Sequence, residues 1–161
     1  MLKKIGLIIL TIIIFISSYV VWFFSLLGNE LKTDYSKQQP EEIRYISKGV
    51  SVSRGRILAV LTSEDTLGAT GKSTGYELTE LARAFYVFQA NGFEVDIASV
   101  DGGDPPMVVD ADDMGKFDYA FLNDKKAMQK VKNSFEIEKI DLAHYDAIYF
   151  VGGKGAMFDF S

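Results

Sequence analysis

Polar and apolar positions divide this chain into three unlike stretches. In residues 5–27 (IGLIILTIIIFISSYVVWFFSLL) 18 of 23 positions are apolar and none is charged. A hydrocarbon core of about 30 Å takes roughly 20 helical residues to cross, so this stretch predicts a membrane-spanning helix. Lys3 and Lys4 precede it, and Tyr19, Trp22, Phe23 and Phe24 gather toward its far end. That order predicts a cytoplasmic N-terminus and an aromatic belt at the opposite interface. Residues 1–28 are therefore expected to form a single-pass transmembrane signal anchor, with the rest of the chain outside the cytoplasm. A cleaved signal peptide shares the charge order but has a shorter apolar run, about 7–15 residues, and a small-x-small exit. Leu26-Leu27-Gly28-Asn29 offers one small residue, which favours the anchor and leaves secretion after cleavage as the alternative.

Residues 29–55 are polar, mixed in charge and without a sustained period. They predict a linker, with a short strand at residues 50–52. From Arg56 the pattern is that of a folded domain. Ile57-Leu58-Ala59-Val60-Leu61 is a continuous apolar run, the mark of a strand buried on both faces. A loop of small residues follows, and then a helix. Thr74 and Glu77 fit a capping box, and Leu78, Leu81, Ala82, Phe85 and Phe88 recur at helical spacing as a core stripe. Asn91-Gly92 is a helix stop. Residues 93–98 (FEVDIA) predict a second strand, 100–122 a long loop, and 124–133 a helix. Residues 146–151 (DAIYFV) predict a third buried strand. Strands alternating with helices indicate a parallel α/β sheet, whose sites lie beyond the carboxyl ends of the strands.

Charge narrows the function. Outside residues 1–28 the chain carries 15 Lys+Arg against 22 Asp+Glu, about −7, more acidic than the −5 of the whole. No basic stripe is present to track phosphates, so no nucleic-acid partner is expected. The absence of cysteine excludes a disulfide framework, a thiolate metal site and a cysteine nucleophile within these residues.

Four features carry candidate chemistry. Gly68-Ala-Thr-Gly71-Lys72-Ser73 sits between a strand and a helix, as a phosphate-binding loop would, but Thr66 stands where the first glycine of that motif belongs,. A connecting loop is the better reading. Glu80 is offset from the apolar stripe of its helix, so periodicity alone makes it a solvated glutamate. His144, the sole histidine, lacks a serine or cysteine partner for a triad and is read as a surface residue. Gly152-Gly153-Lys154-Gly155 follows a buried strand. It is either a tight turn needing positive φ or a set of bare amides facing a developing oxyanion.

In order along the chain stand Arg56-Ile-Leu-Ala-Val-Leu-Thr-Ser63, Gly71-Lys-Ser-Thr-Gly75-Tyr-Glu-Leu-Thr-Glu80, Val87-Phe-Gln-Ala-Asn-Gly92-Phe-Glu-Val-Asp-Ile-Ala-Ser99 and Tyr145-Asp-Ala-Ile-Tyr-Phe-Val-Gly152-Gly-Lys-Gly155-Ala-Met-Phe-Asp159. Together these blocks resemble the ThiJ/PfpI superfamily, which is class I glutamine amidotransferase-like, and within it the glyoxalase III and chaperone-type branch. The resemblance implies an α/β flavodoxin-like three-layer sandwich over residues 56–161, present as an incomplete N-terminal half and preceded by one transmembrane helix. It implies a cysteine nucleophile on a strand-to-helix elbow, a glutamate from the first helix at Glu80, and backbone amides of Gly152 and Gly153 facing the reacting carbonyl. Members of the branch act without a cofactor on small reactive carbonyls, turning methylglyoxal into lactate. There the glutamate moves the proton, a task suited to a carboxyl whose pKa burial has raised. The family often forms homodimers. Three positions depart from its pattern: Lys154 replaces a histidine of the loop, and Arg83-Ala84 replace a His-Pro pair after the glutamate.

The elbow cysteine and its histidine are expected beyond residue 161, so these residues read as the front part of a larger domain with an open apolar edge. Three classes remain. One is a membrane-anchored enzyme of the lyase or hydrolase type in the full-length form, with the 161 residues alone inactive. Another is a non-catalytic, chaperone-like or binding domain at the membrane. The last, a nucleotide-binding module, is disfavoured by Thr66.

Overall fold

The computed structural model describes residues 2–30 and 33–160 in two compact units, Met1–Asp34 and Tyr35–Ser161. Leu31 and Lys32, in the expected linker, and Ser161, at the end of the expected domain, lie outside the described residues. The first unit is one helix, α1 (Leu2–Glu30). Within it Lys4–Leu26 is the one stretch among the described residues that is long and apolar enough to cross a bilayer, with mean hydropathy 2.6. Phe15, Trp22 and other described apolar side chains of this stretch are exposed. The Ser17 hydroxyl donates back to the Ile13 carbonyl at 2.7 Å, which satisfies a polar group within a largely apolar helix.

The second unit begins inside the stretch expected to be a linker. Residues 40–42 form a 3-10 turn and α2 (Arg44–Ser47) follows. Ile43 between them is 4% exposed and joins the main core. Residues 50–52 form no strand. They follow Gly49, which lies so close to Ala90 that a Cβ there would meet its backbone, and the Val50 amide donates to the Ala90 carbonyl at 2.8 Å. Polar composition conceals this packing because a few side chains carry it, Ile43 and Ile46 against the main core and Tyr45 against Phe117.

The chain then runs through β1 (Gly55–Leu61), β2 (Tyr76–Glu77), α3 (Leu78–Ala90) and β3 (Phe93–Ser99). Next come β4 (Met107–Val108), α4 (Lys116–Asn123), α5 (Lys125–Lys132), β5 (Phe135–Glu136), β6 (Ala147–Phe150) and α6 (Ala156–Asp159). The four-stranded sheet has the order β5-β3-β1-β6 and every pairing is parallel. β2 and β4 pair separately, also in parallel. Strand side chains alternate between faces. Ala59, Leu61, Val95 and Ile97 point to the face covered by α3, α4 and α5, where Leu81, Phe85 and Phe121 complete the main core. Leu58, Val60 and Ala98 point to the other face, under Ile137, Ile140, Tyr145 and Phe160.

Three expectations are corrected. The capping box on Thr74 and Glu77 does not form: α3 starts at Leu78 with Glu77 as its N-cap. Tyr76 and Glu77 are held extended instead, by pairing with Met107 and Val108, and Thr74 donates its amide to Asp65. The long loop over 100–122 contains β4 and α4, whose buried Ala120 and Phe121 were too few to make a visible stripe. DAIYFV is not buried on both faces. β6 pairs with β1 alone, and Ile148 and Phe150 are 41% and 61% exposed.

Candidate active site

The carboxyl end of β6 meets the start of α3. Because β6 lies beside β1 and α3 covers that face, Val151 is fully buried and the chain beyond it must turn along the helix N-terminus. Both backbone groups of Gly152 are taken up there. Its carbonyl accepts the Glu77 amide at 3.0 Å, and its N–H donates to Glu80 Oε2 at 2.9 Å. A Cβ on Gly152 would collide with the Glu80 carboxylate, so glycine is what lets the acid approach. Gly153 adopts φ +126°, where a Cβ would strike the Gly75 carbonyl. Its N–H has no hydrogen-bond partner among the described residues. Tyr149, on β6, donates its hydroxyl to the Glu80 carbonyl at 3.2 Å and stacks edge-on against Phe88.

Glu80 also borders an open cleft of about 480 Å³ that Glu77, Arg83, Asp110, Asp113 and Tyr149 help to line. Glu80 itself is exposed, so the burial that the resemblance implies for the acid is absent from this arrangement. The more enclosed carboxyl is that of half-buried Glu77. Glu77 Oε1 is enclosed and has no hydrogen-bond partner among the described residues. Burial pushes the Glu77 pKa up, the Asp110 and Glu80 charges push the same way, and a hydrogen bond from the Asp110 backbone opposes them. Burial likewise raises Tyr149, with Glu80 adding to the rise.

Arg83 explains one departure from the family pattern. Its Nε and a terminal nitrogen hold the fully buried Asp118 at 3.2 and 3.0 Å, and another nitrogen lies 3.2 Å from Asp113. A buried carboxylate without such a partner is strongly destabilising, so Arg83 fastens α4 to α3. Sequence reasoning also missed Asp159. Its two oxygens accept the Thr62 hydroxyl at 2.8 Å and the Ser63 amide at 2.7 Å, tying the segment after the glycine turn to the end of β1. Nothing in its spacing marks that role.

The other candidates separate from this site. His144 lies before β6, at the opposite end from Gly152, exposed and 3.3 Å from Asp141. In the Gly68–Ser73 loop the amides of Gly68, Thr70 and Gly71 donate to the carbonyls of Thr66, Leu67 and Gly68, so they are taken up locally rather than turned toward a phosphate. Among the described residues no group of three or more His, Asp and Glu is placed to hold a metal ion. What the site can do is present a carboxylate over a backbone amide. While that contact is made, the amide serves Glu80 rather than a substrate oxygen. The expected base and the first expected oxyanion donor therefore occupy one another.

No family model matches the chain. It is 31% identical over 128 residues to a protein of Schizosaccharomyces pombe named as a glutathione-independent glyoxalase, a match covering 73% of this chain and 49% of that one. Glyoxalase 3 of Candida albicans is 29% identical over 113 residues, covering 65% and 47%. Among solved structures, the Rapid Encystment Protein 24 kDa of Francisella tularensis superposes with TM-score 0.60 at 33% identity, covering 66% of this chain and 48% of that one. Glyoxalase III of Candida albicans superposes with TM-score 0.54 at 27% identity, covering 66% and 46%. The chain thus spans about half the length of the curated relatives it matches. Its mixed α/β fold with a parallel sheet is that of these flavodoxin-like neighbours, and its homologues are glyoxalase III-type proteins of the ThiJ/PfpI superfamily.

Proposed function

We propose that the complete protein is a membrane-anchored, glyoxalase III-like enzyme that converts methylglyoxal to lactate without a cofactor, with Glu80 as its acid/base. A hydrolase acting through the same thiol is the neighbouring chemistry. The observation that carries this reading is the Glu80–Gly152 contact of 2.9 Å, which joins the two positions that the family resemblance assigns to the reaction centre. The names of the relatives supply the substrate class. The nucleophile is assigned to the part of the relatives' length that these residues do not span, since they contain no cysteine.

In this scheme the thiolate adds to the aldehyde carbon of methylglyoxal. Glu80 takes the proton from that carbon and returns it to the neighbouring carbon, which leaves a thioester that water hydrolyses to lactate. Glu80 must leave the Gly152 amide to reach the adduct, and that departure frees the amide to bind oxygen beside Gly153. Base and oxyanion donor would then become available in one movement.

The test is lactate formation from methylglyoxal by the complete protein and by its Glu80→Gln variant. Loss of a general base predicts a fall of about 10²–10⁴-fold in kcat, and the 161 residues alone should give no turnover. Undiminished activity in Glu80→Gln would remove Glu80 from the mechanism. The absence of cysteine within the 161 residues also favours a second reading, a non-catalytic chaperone-like or binding domain at the membrane. A complete protein without turnover would select it.

A further inference from the structure

A groove of the folded unit lies far from Glu80. It sits at the other end of α3, where Ala90 and Asn91 meet the segment 43–50, and has a volume of about 760 Å³. Ten residues of helix separate Ala90 from Glu80, about 15 Å at 1.5 Å per residue. Ile43, Tyr45, Val50, Val87 and Phe117 give the groove its apolar lining. Tyr45, Val50 and Val87 are also exposed, at 37%, 45% and 48%. The groove is firmly built: Gly49 is pressed against the Ala90 backbone, and Tyr45 packs on Phe117 with ring centres 5.3 Å apart.

Its charged lining is all of one sign. Arg44, Lys48 and Lys116 line the groove, and no aspartate or glutamate does. None of the three has an ion-pair partner among the described residues. Lys116 lies over the Phe117 ring at 4.9 Å. On a chain of net charge −5, three unpaired cations around exposed apolar side chains are a local reversal that needs a complement. That complement is anionic on the outside and apolar beneath, which is the chemistry of a charged lipid surface.

We infer that this groove docks the folded unit onto an anionic bilayer surface, with Arg44, Lys48 and Lys116 on the headgroups and Tyr45, Val50 and Val87 at the acyl boundary. The inference rests on the anchor reading of residues 5–27. Arg44 follows the apolar stretch Lys4–Leu26 by 18 residues, at most about 65 Å of extended chain. A tether of that reach keeps the groove at high effective concentration near the bilayer. Docking through this end of α3 would turn the Glu80 cleft, at its other end, toward solvent and a soluble substrate.

Hydrogen exchange on the full chain in nanodiscs tests it, comparing phosphatidylcholine alone with phosphatidylcholine containing phosphatidylglycerol. In the anionic discs, exchange at residues 43–50 and 87–91 should slow by about tenfold or more, and salt should reverse the effect. The variant Arg44→Gln/Lys48→Gln/Lys116→Gln should lose the protection. Arg44→Lys/Lys48→Arg/Lys116→Arg, which keeps the charge, should retain it. Equal exchange in the two membranes, or protection that survives in the glutamine variant, overturns the inference. Alkaline carbonate extraction separates the anchor from the docking surface. If it releases the chain, the anchor reading fails, and the same exchange measurement on the released chain with phosphatidylglycerol vesicles still decides the groove.

Discussion

Leu58 and Ile148 are neighbours across one pair of strands, in register and on the same face of the sheet. Leu58 is fully buried and Ile148 is 41% exposed. The next pair on that face repeats the contrast, with Val60 at 2% and Phe150 at 61%. Their apolar runs, RILAVL and DAIYFV, read alike as buried strands. The difference comes from what flanks them. β1 has β3 on one side and β6 on the other, and Ile137, Ile140, Tyr145 and Phe160 pack against the cluster that Leu58 forms with Val60 and Ala98. Among the described residues β6 has a strand on one side only, and the Phe160 ring packs edge-on against Phe150. An apolar run therefore predicts a strand well, but its burial belongs to the neighbours.

The sharpest way to break this comparison is to truncate both members of one pair in the 161-residue chain. Leu58→Ala removes a fully buried side chain and should cost about 2–5 kcal/mol. Ile148→Ala leaves solvent where solvent already reached and should cost less than about 1 kcal/mol. Denaturant midpoints measure both. Equal losses would mean that the β6 face is covered in solution, with a second copy of the chain as the obvious cover.

The turn leaving β6 extends the contrast to two adjacent glycines. Gly153→Ala places a Cβ against the backbone of Gly75 at φ +126°, and neither partner can move aside. A loss of about 1–3 kcal/mol is expected. The atoms nearest a Cβ at Gly152 are the end of the Glu80 side chain, which can swing away, so for Gly152→Ala stability should change by less than about 0.5 kcal/mol. The same denaturation series reads both, and a larger loss at Gly152 than at Gly153 would contradict the described geometry.

The smallest effect concerns Glu77, whose amide holds the Gly152 carbonyl. Burial raises its pKa above the ordinary 4.5. Below 4.5 both folded and unfolded chains are protonated there. As pH rises through that value toward the higher folded one, the unfolded chain releases the proton first and stability falls. Glu77→Gln should remove this falling limb and leave the variant relatively more stable toward neutral pH, as read from midpoints across about pH 4–7. A variant whose pH profile overlays the parent's would show that the carboxyl is solvated after all.

Much of the scaffold was legible from local pattern. The strand at Ile57, the stripe on α3, the Asn91-Gly92 stop and the strand at Phe93 all follow from spacing, because an element with one apolar face must turn it inward. Elements stabilised by only a few contacts were not. α4 buries Ala120 and Phe121 and is anchored by the Arg83–Asp118 pair, a long-range ion pair that no window of sequence contains. β2 exists because β4 lies beside it, and this pairing displaced the capping box that Thr74 and Glu77 spell out.

The amino-acid order, by itself, determined that an uncharged apolar stretch precedes an acidic α/β unit, and that a glycine-rich turn follows the strand of residues 146–151. Those properties depend on residues close in sequence, where periodicity and backbone freedom act directly. Only the folded chain decided that Glu80 lies on the Gly152 amide while Glu77 is the enclosed carboxyl, and that three cations gather around one groove. Such placements bring together residues from distant parts of the chain, here 80 with 152 and 44 with 116. They follow from how helices and strands stack, which no local spacing records.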